Sequence, residues 1–233
     1  MATIYLIPCV LADDVSETIP TYVVDAIKQC NVVFAENERT ARRFFKLMDK
    51  SIAIEQFEWF AIHKVEAEQI SSFKQKIKEN KTIAIISEAG CPGIADPGQI
   101  LIAEAQKLQC TIKPMVGPSS ILLALMASGM SGQQFEFVGY LPIDNGERIK
   151  AIKALEAASL KNNSTKIFIE TPYRNNQLVE TILKTCDKNT KLCIAANITA
   201  PNESIITATI AEWQKKIPAL HKQPVIFLIH AGI

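Results

Sequence analysis

Short runs rich in β-branched and aliphatic residues recur along this chain, and most are followed by a segment long enough for one helix. The runs are TIYLI (3–7), NVVFA (31–35), SIAI (51–54), TIAIIS (82–87), TIKPM (111–115), FEFVGY (135–140), KIFIE (166–170), LCIAAN (192–197), SIITATI (204–210) and VIFLIH (225–230). Helix-length segments occupy 20–30, 38–49, 64–80, 97–109, 119–129, 145–160 and 174–186. This alternation predicts an α/β fold, because each sheet face must be buried under helices. The first-half runs are apolar at almost every position, as in a parallel sheet covered on both faces. SIITATI alternates, which suits antiparallel pairing in the second half.

A boundary is expected around KPMVGPSS (113–120), where Pro114, Gly117 and Pro118 punctuate a strand-to-helix junction. Ser119 or Ser120 is placed to cap the helix SILLALMASG, which stops at Gly129. The reading is therefore two α/β domains, 1–115 and 116–233, packed together, with no low-complexity linker and no internal repeat.

Composition narrows the function classes. Lys+Arg 25 against Asp+Glu 24 gives a net charge of +1, so no global field gathers nucleic acid or anionic membrane, and any polyanion contact must be local. Cys9, Cys30, Cys91, Cys110, Cys186 and Cys193 are dispersed without a C-x-x-C pair, and His63, His221 and His230 have no metal-binding spacing. Reduced thiols and no structural metal are expected. The opening MATIYLIPCV lacks a basic stretch leading into a long apolar one, and no run of roughly 18 apolar residues occurs, so a cytoplasmic protein without a membrane span is expected.

The stretch SEAGCPGIADPGQ (87–99) places three glycines and two prolines between a strand and a helix. It belongs at the carboxyl end of a sheet strand, the edge where open α/β sheets bind ligands. A plain tight turn before a proline-started helix is the alternative. Neither G-x-G-x-x-G nor G-x-x-x-x-G-K-[ST] is present, so no pyrophosphate cradle is signalled.

Ser87-Glu88-Ala89-Gly90-Cys91-Pro92 with Asp96-Pro97-Gly98 closely resembles the S-D-A-G-x-P…D-P-G stretch of the tetrapyrrole methylase-like methyltransferases. The closest likeness is to the branch that methylates a ribose 2′-hydroxyl in small-subunit ribosomal RNA. Further motifs follow in that family's order: IYLIP (4–8) for the first strand and loop, AENER (35–39) for A-E-D-T-R, and VGPSS (116–120) for P-G-P-S. FVGYLP (137–142) is similar to F-x-G-F-L-P, and ETPYR (170–174) to E-S-P-H-R. The resemblance runs from Ile4 to about Ile229.

It implies an S-adenosylmethionine-dependent methyltransferase of two α/β domains, usually a homodimer, with the cofactor in the cleft between them. Cofactor-facing positions in such enzymes correspond here to Pro8, Gly90, Cys91, Ile94, Ser119, Ser120, Glu170, Thr171, Ala196, Asn197 and Val225. Gly90 is expected to free main-chain groups for the ligand. Methyl transfer to a ribose hydroxyl benefits from a carboxylate that takes its proton, and Glu36 and Glu88 are the candidates, each with a structural role as the alternative. Arg39, Arg42, Arg43 and Lys46 fall at i, i+3, i+4 and i+7, so a helix gathers them on one face as an RNA-phosphate contact or a solvated surface, while Phe44 and Phe45 pack inward. Arg148 and Arg174 are further candidate phosphate or carboxylate contacts, or ordinary ion pairs.

Departures from the pattern bear on the acceptor. P-x-G-N-L reads PCVLADDVSETIP, A-E-D-T-R has Asn37 and Glu38 for its aspartate and threonine, and an R-E-L-T-K-like segment reads ANITAPNES (196–204). The G-E before the last strand reads KQPVIFLI, and the helical carboxy-terminal extension of many relatives is missing. Three readings follow: methylation of RNA, methylation of a tetrapyrrole or other small acceptor, and a module that binds the cofactor without turnover. A nucleophile built on Cys91 has no histidine near it in sequence.

Overall fold

The computed structural model describes residues 2–13, 15–62 and 66–232, and the chain divides into two compact units between Ser119 and Ser120. In the first unit the order is β1 (Thr3–Ile7), α1 (Tyr22–Lys28), β2 (Val32–Ala35), α2 (Glu38–Met48), β3 (Glu58–Ala61), α3 (Ile70–Lys78), β4 (Ile83–Ile86), α4 (Gln99–Lys107) and β5 (Thr111–Pro114). The sheet order is β3-β2-β4-β1-β5, and every pairing is parallel. Both faces are covered, as the unbroken apolar strands predict. On one face Tyr5, Ile7, Val33, Ala84 and Ile86 pack with Ile27 of α1 and Phe44 and Phe45 of α2. On the other, Ile4, Phe34, Ile83 and Ile85 pack with Phe73 of α3 and Leu101 and Ala105 of α4.

The second unit runs α5 (Ser120–Ser128), β6 (Phe135–Tyr140), α6 (Asn145–Asn162), β7 (Thr165–Ile169), α7 (Asn175–Thr185), β8 (Lys191–Ala196), β9 (Ser204–Thr209), α8 (Ile210–Trp213) and β10 (Val225–His230). Its sheet order is β6-β7-β10-β8-β9. Only β6 and β7 are parallel; β10 is antiparallel to β7 and β8, and β9 to β8. The alternating pattern of SIITATI therefore reads correctly as an antiparallel strand, here at a sheet edge.

Two expected elements differ. SIAI (51–54) is not a strand: Ser51 N–H donates to Asp49 Oδ1 at 2.7 Å, Ile52 N–H to Asp49 O at 3.2 Å, and a 3₁₀ turn covers Ile54–Gln56. The edge strand comes instead from EWFA (58–61), where Phe60 stacks on Phe34 of β2 with ring centroids 4.7 Å apart. Cross-strand aromatic packing outweighs the poor strand propensity of Glu58. The segment expected as one helix over 64–80 begins as a 3₁₀ turn at Glu66–Gln69 and becomes α-helical only at Ile70; 64 and 65, like His63, lie outside the described residues. Among the described residues no helix is long and apolar enough to cross a membrane.

Candidate active site

The topology of the first unit makes β4 unusual. Its connection to α4 leaves on one face of the sheet, whereas its neighbours β1 and β2 connect to α1 and α2 on the other. Where adjacent strands send their loops to opposite faces, a crevice opens beyond the carboxyl ends. Here β4 has one on each flank, and the loop 87–98 divides them.

The crevice toward β1 is built from main chain. Cys9 N–H donates to Gly90 O at 2.8 Å and Gly90 N–H to Cys9 O at 3.1 Å, joining the loops after β1 and β4. Gly90 has φ +67°, a left-handed conformation that side chains rarely adopt, so glycine is required for this bridge. Its peptide N–H and C=O both take part in this bridge. Gly117, after β5, approaches Pro8 so closely that an added Cβ would lie 2.1 Å from the proline Cβ. The Cys91 thiol lies 3.5 Å from Pro118 O, and Ile94 is 54% exposed. Pro8, Cys91 and Gly117 thus draw three adjacent loops into one cradle, and Ser119 closes the unit just beyond it. Burial pushes the Cys9 thiol up to about 12 and raises that of Cys91, so neither is an activated nucleophile.

The crevice toward β2 is built from charged side chains. Glu36 follows β2, and its Oε2 accepts the Glu88 N–H at 2.9 Å. The Glu88 carboxylate accepts the Thr40 hydroxyl at 3.1 Å. Together with Asn37, Glu38, Arg39 and Ala61 they line a concavity of about 430 Å³. Asn37 is the N-cap of α2, its Oδ1 accepting from Arg39 N–H at 3.0 Å and Thr40 N–H at 3.3 Å, so the departure from aspartate keeps the cap. On α2 the four expected cations do not behave alike. Arg42 pairs with Glu38 at 3.0 Å and lies 4.8 Å over the Trp59 ring, and Lys46 donates to Lys50 O at 3.0 Å. Arg39 and Arg43 are exposed and make no ion pair among the described residues.

A family model for tetrapyrrole (corrin/porphyrin) methylases matches residues 16–214. The chain belongs to the tetrapyrrole methylase family. It is 31% identical over 214 residues to the Ribosomal RNA small subunit methyltransferase I of Buchnera aphidicola subsp. Schizaphis graminum, covering 90% of this chain and 72% of the relative. The protein of the same name from Escherichia coli O157:H7 is 29% identical over 174 residues, 73% of this chain and 59% of the relative. Among solved structures, the methyltransferase CobJ superposes with TM-score 0.65 at 15% identity, covering 98% of this chain and 93% of CobJ. Cobalt precorrin-4 methyltransferase CbiF gives 0.60 at 14%, covering 98% and 94%. These two share the fold.

As a member of the tetrapyrrole methylase family, this protein is a methyltransferase that uses S-adenosylmethionine. The first unit fits such a ligand in one respect visible here: the Gly117 approach to Pro8 and the glycine bridge at Gly90 keep the cradle walls free of bulk, with Cys91 and Ile94 supplying apolar surface.

In the second unit, the carboxyl ends of β7 and β8 and the start of β10 meet at one sheet edge. Val225 pairs with Ala196, Asn197 N–H donates to Pro224 O at 3.0 Å, and Ile226 pairs with Ile169 just before Glu170 and Thr171. Five expected cofactor positions thus share one edge, and Ser120 begins α5. Glu170 is buried and tied to Arg174, whose Nη2 donates to Oε1 at 2.7 Å, so Arg174 is an ion pair and not an open phosphate contact. Arg148 is corrected likewise: it is 1% exposed, and its guanidinium donates to Ile143 O and Asn145 Oδ1 within its own helix start.

Sequence reasoning passed over Asp96. Burial, then the charges of Glu36 and Glu88, raise its carboxyl to about 6. Only the fold brings the charges of Glu36 and Glu88 within reach of Asp96.

Proposed function

We propose that this methyltransferase acts on small-subunit ribosomal RNA at a ribose 2′-hydroxyl. The observation that carries the reading is the pairing of a carboxylate-lined concavity with the exposed Arg39 and Arg43 at its rim and on the adjoining helix. A tetrapyrrole bearing several carboxylates would be repelled by Glu36, Glu38 and Glu88. A ribose offers hydroxyl donors to those groups, and its flanking phosphates meet the arginines. The names of the relatives point the same way.

In this reading the cofactor lies against Pro8, Cys91, Ile94 and Ser119 in the first unit. In the second unit the positions that correspond to cofactor-facing ones of the family are Ser120, Glu170, Thr171, Ala196, Asn197 and Val225, of which Glu170 also holds Arg174. The bound cofactor supplies an activated methyl group; the chain aligns the acceptor oxygen and keeps competing water out. A cytoplasmic homodimer completes the proposal, supported by the exposed Tyr140 and Ile143 at and beyond the edge strand β6.

Labelled S-adenosylmethionine incubated with small-subunit RNA at low salt tests the substrate. Label retained in a 2′-O-methylated nucleoside after digestion is the expected result. Measurable cofactor binding with no RNA labelling would overturn the RNA reading.

A further inference from the structure

We propose that Tyr173 and the lysine-bearing loop before β10 form a single-strand contact surface in the second unit: an unpaired nucleobase stacks on the Tyr173 ring, and the phosphates beside it meet Lys215, Lys216 and Lys222. This rests on the RNA reading above and deepens it by naming where unpaired bases of the substrate are held.

The charge is local. The chain as a whole carries +1, yet QKKIPALHKQ (214–223) holds three lysines and a histidine and no acid. Lys215, Lys216 and Lys222 are exposed and enter no ion pair among the described residues. Glu212, whose carboxylate feels the Lys215 charge, uses its Oε2 to accept the Thr209 N–H at 2.8 Å and the Thr209 hydroxyl at 2.7 Å at the start of α8. A segment of cations that neighbours do not neutralise attracts a polyanion even on a chain of near-zero net charge.

An aromatic ring stands beside these cations. Tyr173, in the turn between β7 and α7, is 71% exposed, and its ring meets that of His221 edge to face, with centroids 5.8 Å apart and planes at 71°. Single strands are held by an aromatic face open to solvent next to cations that track the backbone, and both are present here. Tyr173 follows Glu170 and Thr171 along the sheet edge where the expected cofactor positions gather, so a nucleotide stacked on it stands next to that edge.

The surface is also held in one shape. Fully buried Asn175 donates from Nδ2 to Gln223 O at 2.8 Å and to Leu220 O at 3.3 Å, and Asn176 Oδ1 accepts the Leu220 N–H at 2.8 Å. Lys222 N–H donates to Pro172 O at 3.1 Å, with Lys222 in the left-handed region at φ +61°. These bonds staple the lysine loop to the segment that carries Tyr173. A contact surface fixed before its ligand arrives loses less conformational freedom on binding.

The test compares a short single-stranded RNA of mixed sequence with its annealed duplex, each followed by fluorescence anisotropy. Tyr173→Ala should weaken single-strand affinity about fivefold or more and leave duplex affinity, S-adenosylhomocysteine affinity and thermal stability unchanged. Tyr173→Phe should bind the single strand as the wild type does, because stacking needs the ring and not the hydroxyl. Lys216→Ala with Lys222→Ala should reduce the slope of log affinity against log salt by about 1.4, a slope that Tyr173→Ala leaves alone. The proposal is overturned by wild-type single-strand affinity in Tyr173→Ala, by a Phe variant as weak as the Ala variant, or by a salt slope indifferent to both lysines. A porphyrin polycarboxylate that binds through Tyr173 where single-stranded RNA does not would overturn it as well. Tyr173-dependent binding of single strands without methyl transfer to small-subunit RNA would keep it and overturn only the RNA-substrate reading.

Discussion

The two flanks of β4 solve different problems with different parts of the chain. Toward β1 the walls are peptide groups, prolines and glycines whose positions are fixed by close approach; toward β2 they are carboxylates and guanidiniums on side chains. A neutral, rigid cradle suits a ligand that must be held in one orientation, whereas a charged concavity discriminates among acceptors by the sign and placement of their charges. The comparison teaches that damage to one flank should be geometric and damage to the other electrostatic.

The largest expected break is Gly117→Val. Its side chain has no space against Pro8, so the loops must separate, with a stability loss of about 1–3 kcal/mol and at least tenfold weaker S-adenosylhomocysteine binding by calorimetry. RNA affinity measured at low salt should change little by comparison. On the other flank, Arg39→Ala with Arg43→Ala should weaken RNA binding several-fold and reduce the slope of log affinity against log salt by about 1.4, with cofactor affinity intact. Arg42→Ala, by contrast, should leave that slope nearly unchanged, because Arg42 is already committed to Glu38 and Trp59.

Smaller effects sharpen the contrast. Gly90→Ala meets only ordinary contacts, 3.4 Å from Leu11 and 3.6 Å from Pro118 O, and its cost is the left-handed backbone, about 1 kcal/mol in denaturant unfolding. Asp96→Asn should gain stability on the order of 1 kcal/mol at pH 7 to 8, discounted for partial exposure. The sign follows from its raised carboxyl: the folded state binds its proton more tightly than the unfolded chain, so wild-type stability falls as pH climbs from about 4 to about 6 and is then level. The variant loses that slope.

These flanks were not equally legible in the sequence. The β-branched alternation announced an α/β fold, and TIYLI and VIFLIH matched strands residue for residue, since buried parallel and central strands carry continuous apolar runs; FEFVGY matched too, though it is a more exposed edge strand. EWFA was missed because its strand character comes from Phe60 stacking on Phe34, a contact between distant segments. The glycine-rich bend was visible because φ and close approach are written in residue type, whereas the bridge from Gly90 to Cys9 joins segments far apart in the chain. The charged flank was harder to read. Helical spacing found the cations of α2 but not that Arg42 stacks on Trp59, and nothing in the order of residues told that Arg148 is buried or that the charges of Glu36 and Glu88 act on Asp96.

Hydrogen exchange read by mass spectrometry, with S-adenosylhomocysteine and small-subunit RNA added separately, tests the division of labour most directly. The nucleoside should protect amides around 8–13, 91–95 and 116–119 and leave 36–46 unchanged, while the RNA should protect 36–46. Protection of 36–39 by the nucleoside, with none at 91–95 or 116–119, would contradict the assignment of one flank to each ligand.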